Sequence, residues 1–272
     1  MKKLLAITAL SAALFFGQTA AAGEKAAEEV KPSHVEMVLV LDESGSMSDL
    51  TRDTIGGFNS MIEKEKKLDV DAHVTTVLFN DQYKMLYNRR ELKDVRKMTD
   101  KDYTPGGMTA LLDAVGRTIH KIDMVAGIHR KDKGNKVLFV IITDGEENDS
   151  KEYTYADVKK LIKDRQENAG WEFIFLGANI DAAAEAENLG IDRDRAVKYK
   201  NTGSGVRANF MAVAELSDSL AKSGRVSDEW KSQVDEDTDE NVMAAPADTK
   251  EHAAPPAKPV KKHLVSKVRK AK

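Results

Sequence analysis

The chain has 272 residues, of which 41% are hydrophobic and 32% charged, with 17 glycines and 6 prolines. That is the composition of one folded domain of ordinary size with appendages, and it excludes collagen-like and wholly disordered classes. The formal charge of −3 gives no general affinity for polyanions, and the absence of cysteine excludes disulfides, thiolate nucleophiles, iron–sulfur clusters and cysteine zinc sites, so metal chemistry has to use oxygen or imidazole.

Met1-Lys2-Lys3, a polar-poor run over residues 4–16 and the small residues Ala20-Ala21-Ala22-Gly23 make the three parts of a secretory signal peptide over residues 1–22, with cleavage expected after Ala22. The apolar run is shorter than the ~20 residues that a membrane span needs. No cysteine follows it, which excludes a lipoprotein anchor, so a periplasmic or secreted location is expected. Removal of residues 1–22 leaves 40 basic against 45 acidic residues, a charge of −5. Nothing later in the chain is apolar enough to cross a bilayer, and residues 23–32 read as a linker.

Residues 35–41 are almost unbroken aliphatic sequence, the pattern of a strand covered on both faces. Ile55, Phe58, Met61 and Ile62 then fall on one helical face. Residues 74–79, a two-residue Asn80-Asp81 turn and residues 82–87 predict a hairpin, and the alternation of Tyr83, Met85 and Tyr87 with Gln82 and Lys84 marks a half-exposed edge strand. Leu112, Val115, Ile119 and Ile122 form the next helical face and lead into a buried strand over 137–142. Val158, Leu161 and Ile162 mark a helix before a strand over 171–176. Asp181 is placed to cap a helix over 182–189, and Gly190 to end it. A short strand over 195–199 precedes a last helix with Val206, Phe210, Val213 and Leu220 inward. These elements predict an α/β domain over residues 33–223: a doubly wound, mostly parallel six-stranded sheet with one antiparallel edge strand and helices on both faces.

Residues 224–252 are acidic and poor in aliphatic side chains, and are expected to be a disordered linker. Residues 253–272 are broken by Pro255, Pro256 and Pro259 and carry seven lysines and arginines with no acid. This basic tail reads as a solvated tether, or as a contact with an anionic envelope surface. It lacks the aromatic side chains that stack on bases, which makes nucleic acid a poor candidate partner.

In such sheets ligands bind beyond the carboxyl ends of the strands, where the winding order reverses. With the first strand in mid-sheet, its end and that of the 137–142 strand flank this crevice. The first runs out into Asp42-Glu43-Ser44-Gly45-Ser46, the other into Thr143-Asp144-Gly145-Glu146, and Pro105-Gly106-Gly107-Met108-Thr109 precedes a helix. The carboxylates of Asp42 and Asp144 and the hydroxyls of Ser44, Ser46 and Thr109 suit a hard divalent cation that prefers oxygen donors, Mg2+ or alternatively Mn2+ or Ca2+.

These three motifs, in this order, resemble the von Willebrand factor type A (VWA) family and its metal-ion-dependent adhesion site. The resemblance spans roughly residues 35–222. It is closest to small stand-alone bacterial and phage members, through the sequence from Gly106 to Val115 and that from Trp171 to Asp181. It implies that Ser44 and Ser46 bind the metal directly, that Thr109 does so in the ligand-ready state, and that Asp42 and Asp144 act largely through water. One coordination position is left for an Asp or Glu carboxylate of a partner protein. The implied activity is adhesion or scaffolding by an exported protein-binding module, not catalysis.

Other signals are weaker. Glu43 and Met47 alternate with the candidate ligands and read as packing or solvent-facing residues, and residues 146–149 as a solvated loop in preference to a second cation site. Asn179 is a candidate hydrogen-bonding support. Gly203-Ser204-Gly205-Val206-Arg207-Ala208 fits a dinucleotide fingerprint but follows the last strand, so it reads as a plain helix start. Asp235, Asp237 and Asp239 imitate an EF-hand loop whose glycine and glutamate positions hold Glu240 and Pro246. The six histidines show no ligand spacing. The rival readings are a metal-dependent hydrolase at the same crevice, for which no general base stands at fixed spacing, and a scaffold tethered to the envelope through its basic tail.

Overall fold

Eight consecutive buried residues, Val35–Asp42, form β1 in the middle of a six-stranded sheet. The computed structural model describes residues 34–68, 70–124, 135–231 and 234. Strand β1 pairs in parallel with β2 (Ala72–Phe79) on one side and β4 (Lys136–Thr143) on the other. The sheet order is β3-β2-β1-β4-β5-β6, with β3 (Tyr83–Glu91) as the antiparallel edge and β5 (Glu172–Gly177) and β6 (Ala196–Lys198) completing the parallel side. The winding therefore reverses between β1 and β4, and the crevice opens beyond Asp42 and Thr143.

Helices α1 (Thr51–Lys67) and α5 (Gly203–Ser223) cover one face, burying Phe58, Met61, Phe210 and Val213 against Leu39 and Val140. Helices α2 (Leu111–Asp123), α3 (Tyr155–Asp164) and α4 (Ala182–Leu189) cover the other, over Val38, Phe139 and Phe173. This two-sided burial is why β1, β4 and β5 carry continuous apolar runs in place of alternation. Asp181 caps α4 by accepting from the Ala184 N–H, and Gly190, at φ 88°, ends it.

Three expectations need correction. The β2–β3 connection takes three residues, because the Asn80 side chain accepts the Gln82 N–H at 2.7 Å and draws Gln82 into the turn. Strand β3 continues past residue 87 to Glu91 through polar residues, with a register shift opposite Val74 and Thr76. There Arg89 adopts φ 45° and its N–H donates to Thr75 Oγ1. The packed chain also runs beyond Ser223: Val226, Trp230 and Val234 are buried in the α1/α5 core, apolar anchors hidden within an acidic stretch. The expected signal peptide (1–22), linker (23–32), basic tail (253–272) and the rest of the acidic segment lie outside the described residues. No helix among the described residues is long and apolar enough to cross a membrane.

Candidate metal centre

Asp42 is the last residue of β1 and is buried. Its Oδ1 accepts the Ser44 N–H at 2.7 Å, which turns the chain sharply out of the sheet, and its Oδ2 accepts the Thr143 hydroxyl at 2.6 Å. The turn leads into a 3-10 segment, Gly45–Leu50, that brings Ser44 Oγ and Ser46 Oγ to 3.0 Å. Ser46 Oγ in turn donates to Asp144 Oδ1 at 2.5 Å, joining the loop after β1 to the loop after β4.

Thr109 enters from the third loop. Its N–H donates to Asn148 Oδ1 at 2.8 Å and its carbonyl accepts the Asn148 N–H at 3.0 Å. A side chain on Gly145 would stand 3.8 Å from both Ser46 Oγ and Thr109 Oγ1, so the two hydroxyls converge over that glycine. Gly107 is required in this loop: it adopts φ 77°, and a Cβ there would meet Asp81 Oδ1 at 2.0 Å. The loop is fastened to the first by Gly45 N–H to Gly107 carbonyl and Gly106 N–H to Glu43 carbonyl bonds.

All five expected residues thus meet at one end of the sheet, four of them buried and Ser46 exposed at the rim. Burial pushes the Asp42 carboxyl up to about 6, against hydrogen bonds from Ser44 and Thr143 and with the Asp144 charge adding to the rise. A buried acid held off its ordinary value beside a second acid is an environment that a cation would relieve. The 3.0 Å separation of Ser44 Oγ and Ser46 Oγ also matches the edge of a magnesium octahedron, roughly 3.0 Å for bonds of ~2.1 Å. The residues fit a hard divalent ion.

Several supporting residues carried no sequence signal. Tyr103 donates its hydroxyl to the Asp42 carbonyl at 2.6 Å, Tyr199 to the Thr143 carbonyl at 3.2 Å, and Asn201 Nδ2 to Asp144 Oδ2 at 3.4 Å. Asn179, the hydrogen-bonding support expected from the sequence, has φ 57° and donates to the Asp144 carbonyl. Glu43 turns away from the site to accept from Lys84 Nζ and the Thr104 N–H, and Met47 packs in the core.

The 146–149 segment is more than a solvated loop. Glu147 accepts the Leu112 N–H at the start of α2 and the N–H groups of Asp149 and Ser150, while Asp113 accepts those of Lys151, Glu152 and Tyr153. These acids are engaged by backbone donors that α2 and the loop leave unpaired. The glycines of the apparent dinucleotide motif have steric causes, since a Cβ on Gly205 would meet the Lys200 carbonyl oxygen at 2.1 Å and one on Gly203 the Asp53 carboxylate at 2.5 Å.

The histidines also need revision. His34 and His73 lie together with Glu36 at the opposite end of the sheet, their ring nitrogens 2.8 Å apart. The signal lies in pairing: Glu36 stands opposite His73 in the β1–β2 register, and His34 is two residues before Glu36.

A sequence profile of the von Willebrand factor type A domain found in the TerF C terminus matches residues 34–203. Among solved structures, the pilus adhesin SpaC of Lactobacillus rhamnosus GG in its open conformation is similar with a TM-score of 0.55 at 13% identity, over 71% of this chain and 31% of the adhesin. A second form of that adhesin gives 0.54 at 15% identity with the same coverage. A von Willebrand factor type A structure from Catenulispora acidiphila gives 0.46 at 15% identity, over 68% of this chain and 43% of its own. The chain spans less than half the length of each, and at these identities the likeness is one of fold. No curated protein matches.

Proposed function

The chain belongs to the von Willebrand factor type A family, and on that premise we propose that it is a binding module dependent on a divalent cation, magnesium or else manganese or calcium, and not an enzyme. In this reading Ser44, Ser46 and Thr109 hold the ion through their hydroxyls, and Asp42 and Asp144 act through water. The bound ion supplies an electrophilic centre with one open position, which an Asp or Glu carboxylate of a partner protein fills. Neutral hydroxyls close to the ion and buried acids behind them leave charge for that carboxylate to neutralise.

The observation that carries this reading is the unbroken contact from Ser44 Oγ to Ser46 Oγ to Asp144 Oδ1, with Ser46 at the exposed rim. A pilus adhesin with the same fold supports a binding role. The N-terminal signal pattern supports export to the periplasm or beyond, where the partner would be met. The test is capture from an envelope extract with magnesium, with excess chelator, and with Asp42→Ala. Capture is expected only for the wild type with magnesium, while circular dichroism shows the variant folded. Capture that persists in chelator rejects the metal-bridged mechanism.

A further inference from the structure

At the pole of the sheet opposite the candidate metal centre, β1 and β2 begin with a second set of donors. His34 Nε2 lies 3.3 Å from Glu36 Oε1, His73 Nδ1 lies 3.4 Å from the same oxygen, and the two ring nitrogens are 2.8 Å apart. A tetrahedral zinc ion with bonds of ~2.0 to 2.1 Å needs its donors roughly 3.4 Å from one another. The two nitrogen–oxygen separations match that edge, and the hydrogen-bonded nitrogen pair has to open by about 0.6 Å to complete one tetrahedral face.

The surroundings add to this. Asp71 Oδ1 lies 3.0 Å from His34 Nδ1, so a proton held on that nitrogen would leave Nε2 free to bind a metal at the cluster. A carboxylate behind a histidine in this manner orients a metal ligand and raises its basicity. Glu36 is buried and the two histidines are partly exposed. A surface cleft of about 490 Å³, lined by His34, Asp71, His73 and Glu91 among others, gives solvent access.

Arg89 is the competing partner. From the bulge in β3 it donates Nε to Glu36 Oε2 at 3.0 Å, and a terminal nitrogen contacts Glu36 Oε1 and lies 3.5 Å from His73 Nδ1. Zinc at Glu36 Oε1 therefore requires the planar guanidinium to turn away from that oxygen as a unit.

We propose that His34, Glu36 and His73 form a zinc-binding site with a fourth position open to solvent, distinct from the hydroxyl-rich centre at the other pole. The two sites differ in donor chemistry: imidazole suits zinc, whereas hydroxyl and carboxylate oxygens suit magnesium. Binding would tie the start of β1 to the start of β2.

The experiment is a calorimetric titration of the metal-stripped full chain with zinc in excess magnesium, which occupies the other centre, with cobalt absorption as a second readout. One equivalent of zinc is expected, together with the intense visible bands of four-coordinate cobalt. His73→Gln is expected to weaken binding by on the order of 100-fold, and Asp71→Asn by about 10-fold. Arg89→Gln, which removes the competitor, should tighten it, and Asp144→Ala should leave it unchanged. Wild-type protein that takes up no zinc, or a folded His73→Gln variant that binds it equally well, overturns the assignment.

Discussion

The Ser46 hydroxyl donates to Asp144 Oδ1 at 2.5 Å although 98 residues separate them in the chain. This contact joins the loop after β1 to the loop after β4, so in the proposed site the cation affinity of either loop depends on the other. Asp144→Ala is expected to abolish the rise in melting temperature on adding magnesium, and Ser46→Ala to weaken magnesium affinity by on the order of 10- to 100-fold. Differential scanning fluorimetry across a magnesium series checks both, and an unchanged response in Asp144→Ala would remove Asp144 from the site.

In the proposed site Asp42 sets stability against cation binding. Its carboxyl is pushed from 3.8 to about 6 by burial, so without metal its contribution to stability is lost as pH rises through about 6. A shift of this size corresponds to roughly 3 kcal/mol. Asp42→Asn is therefore expected to melt higher than the wild type in chelator at pH 7.5, with the gap shrinking toward pH 4. In magnesium the order should reverse, because only the wild type gains from the ion.

Glu65 titrates within the α1–α5 contact. It is fully buried, its Oε2 accepts the Ser217 hydroxyl at 2.9 Å, and burial raises it to about 7 against that bond. A raised carboxyl contributes stability below its unfolded value of 4.5 that fades as pH climbs to about 7. Glu65→Gln is expected to flatten the pH dependence between 5 and 8, where the wild type loses roughly 3 kcal/mol relative to it. Denaturant unfolding at both pH values measures this; parallel behaviour of the two proteins would contradict it.

Gly57 lets α1 and α5 approach closely. A Cβ there would stand 2.5 Å from the buried Phe210 ring. Replacement of glycine by alanine in an open helix gains about 1 kcal/mol. Here overpacking should dominate, so that Gly57→Ala destabilises by ~1 to 3 kcal/mol. Gly56 has open space at the same point and should show the ordinary gain on replacement by alanine, an internal control measured by the same unfolding curves.

Much of this protein was written locally. The aliphatic runs of β1, β4 and β5 identify strands buried on both faces, because each residue's surroundings there depend mainly on sheet position. Asp181 and Gly190 bound α4 through contacts within a few residues, and the hydroxyls and acids at the strand ends mark the loops that meet at the crevice. Other features came into being only when distant segments met. Parallel register put Glu36 beside His73, and a bulge aimed Arg89 at both. The fold also brought Tyr103 and Tyr199 behind the crevice and turned Glu147 and Asp113 onto backbone donors, while Trp230 and Val234 found a hydrophobic layer that their acidic neighbours conceal. Periodicity and capping are short-range and leave a mark in the order of residues. Cross-strand pairing, buried hydrogen bonds and ligand geometry are set by three-dimensional proximity, which the order of residues does not display.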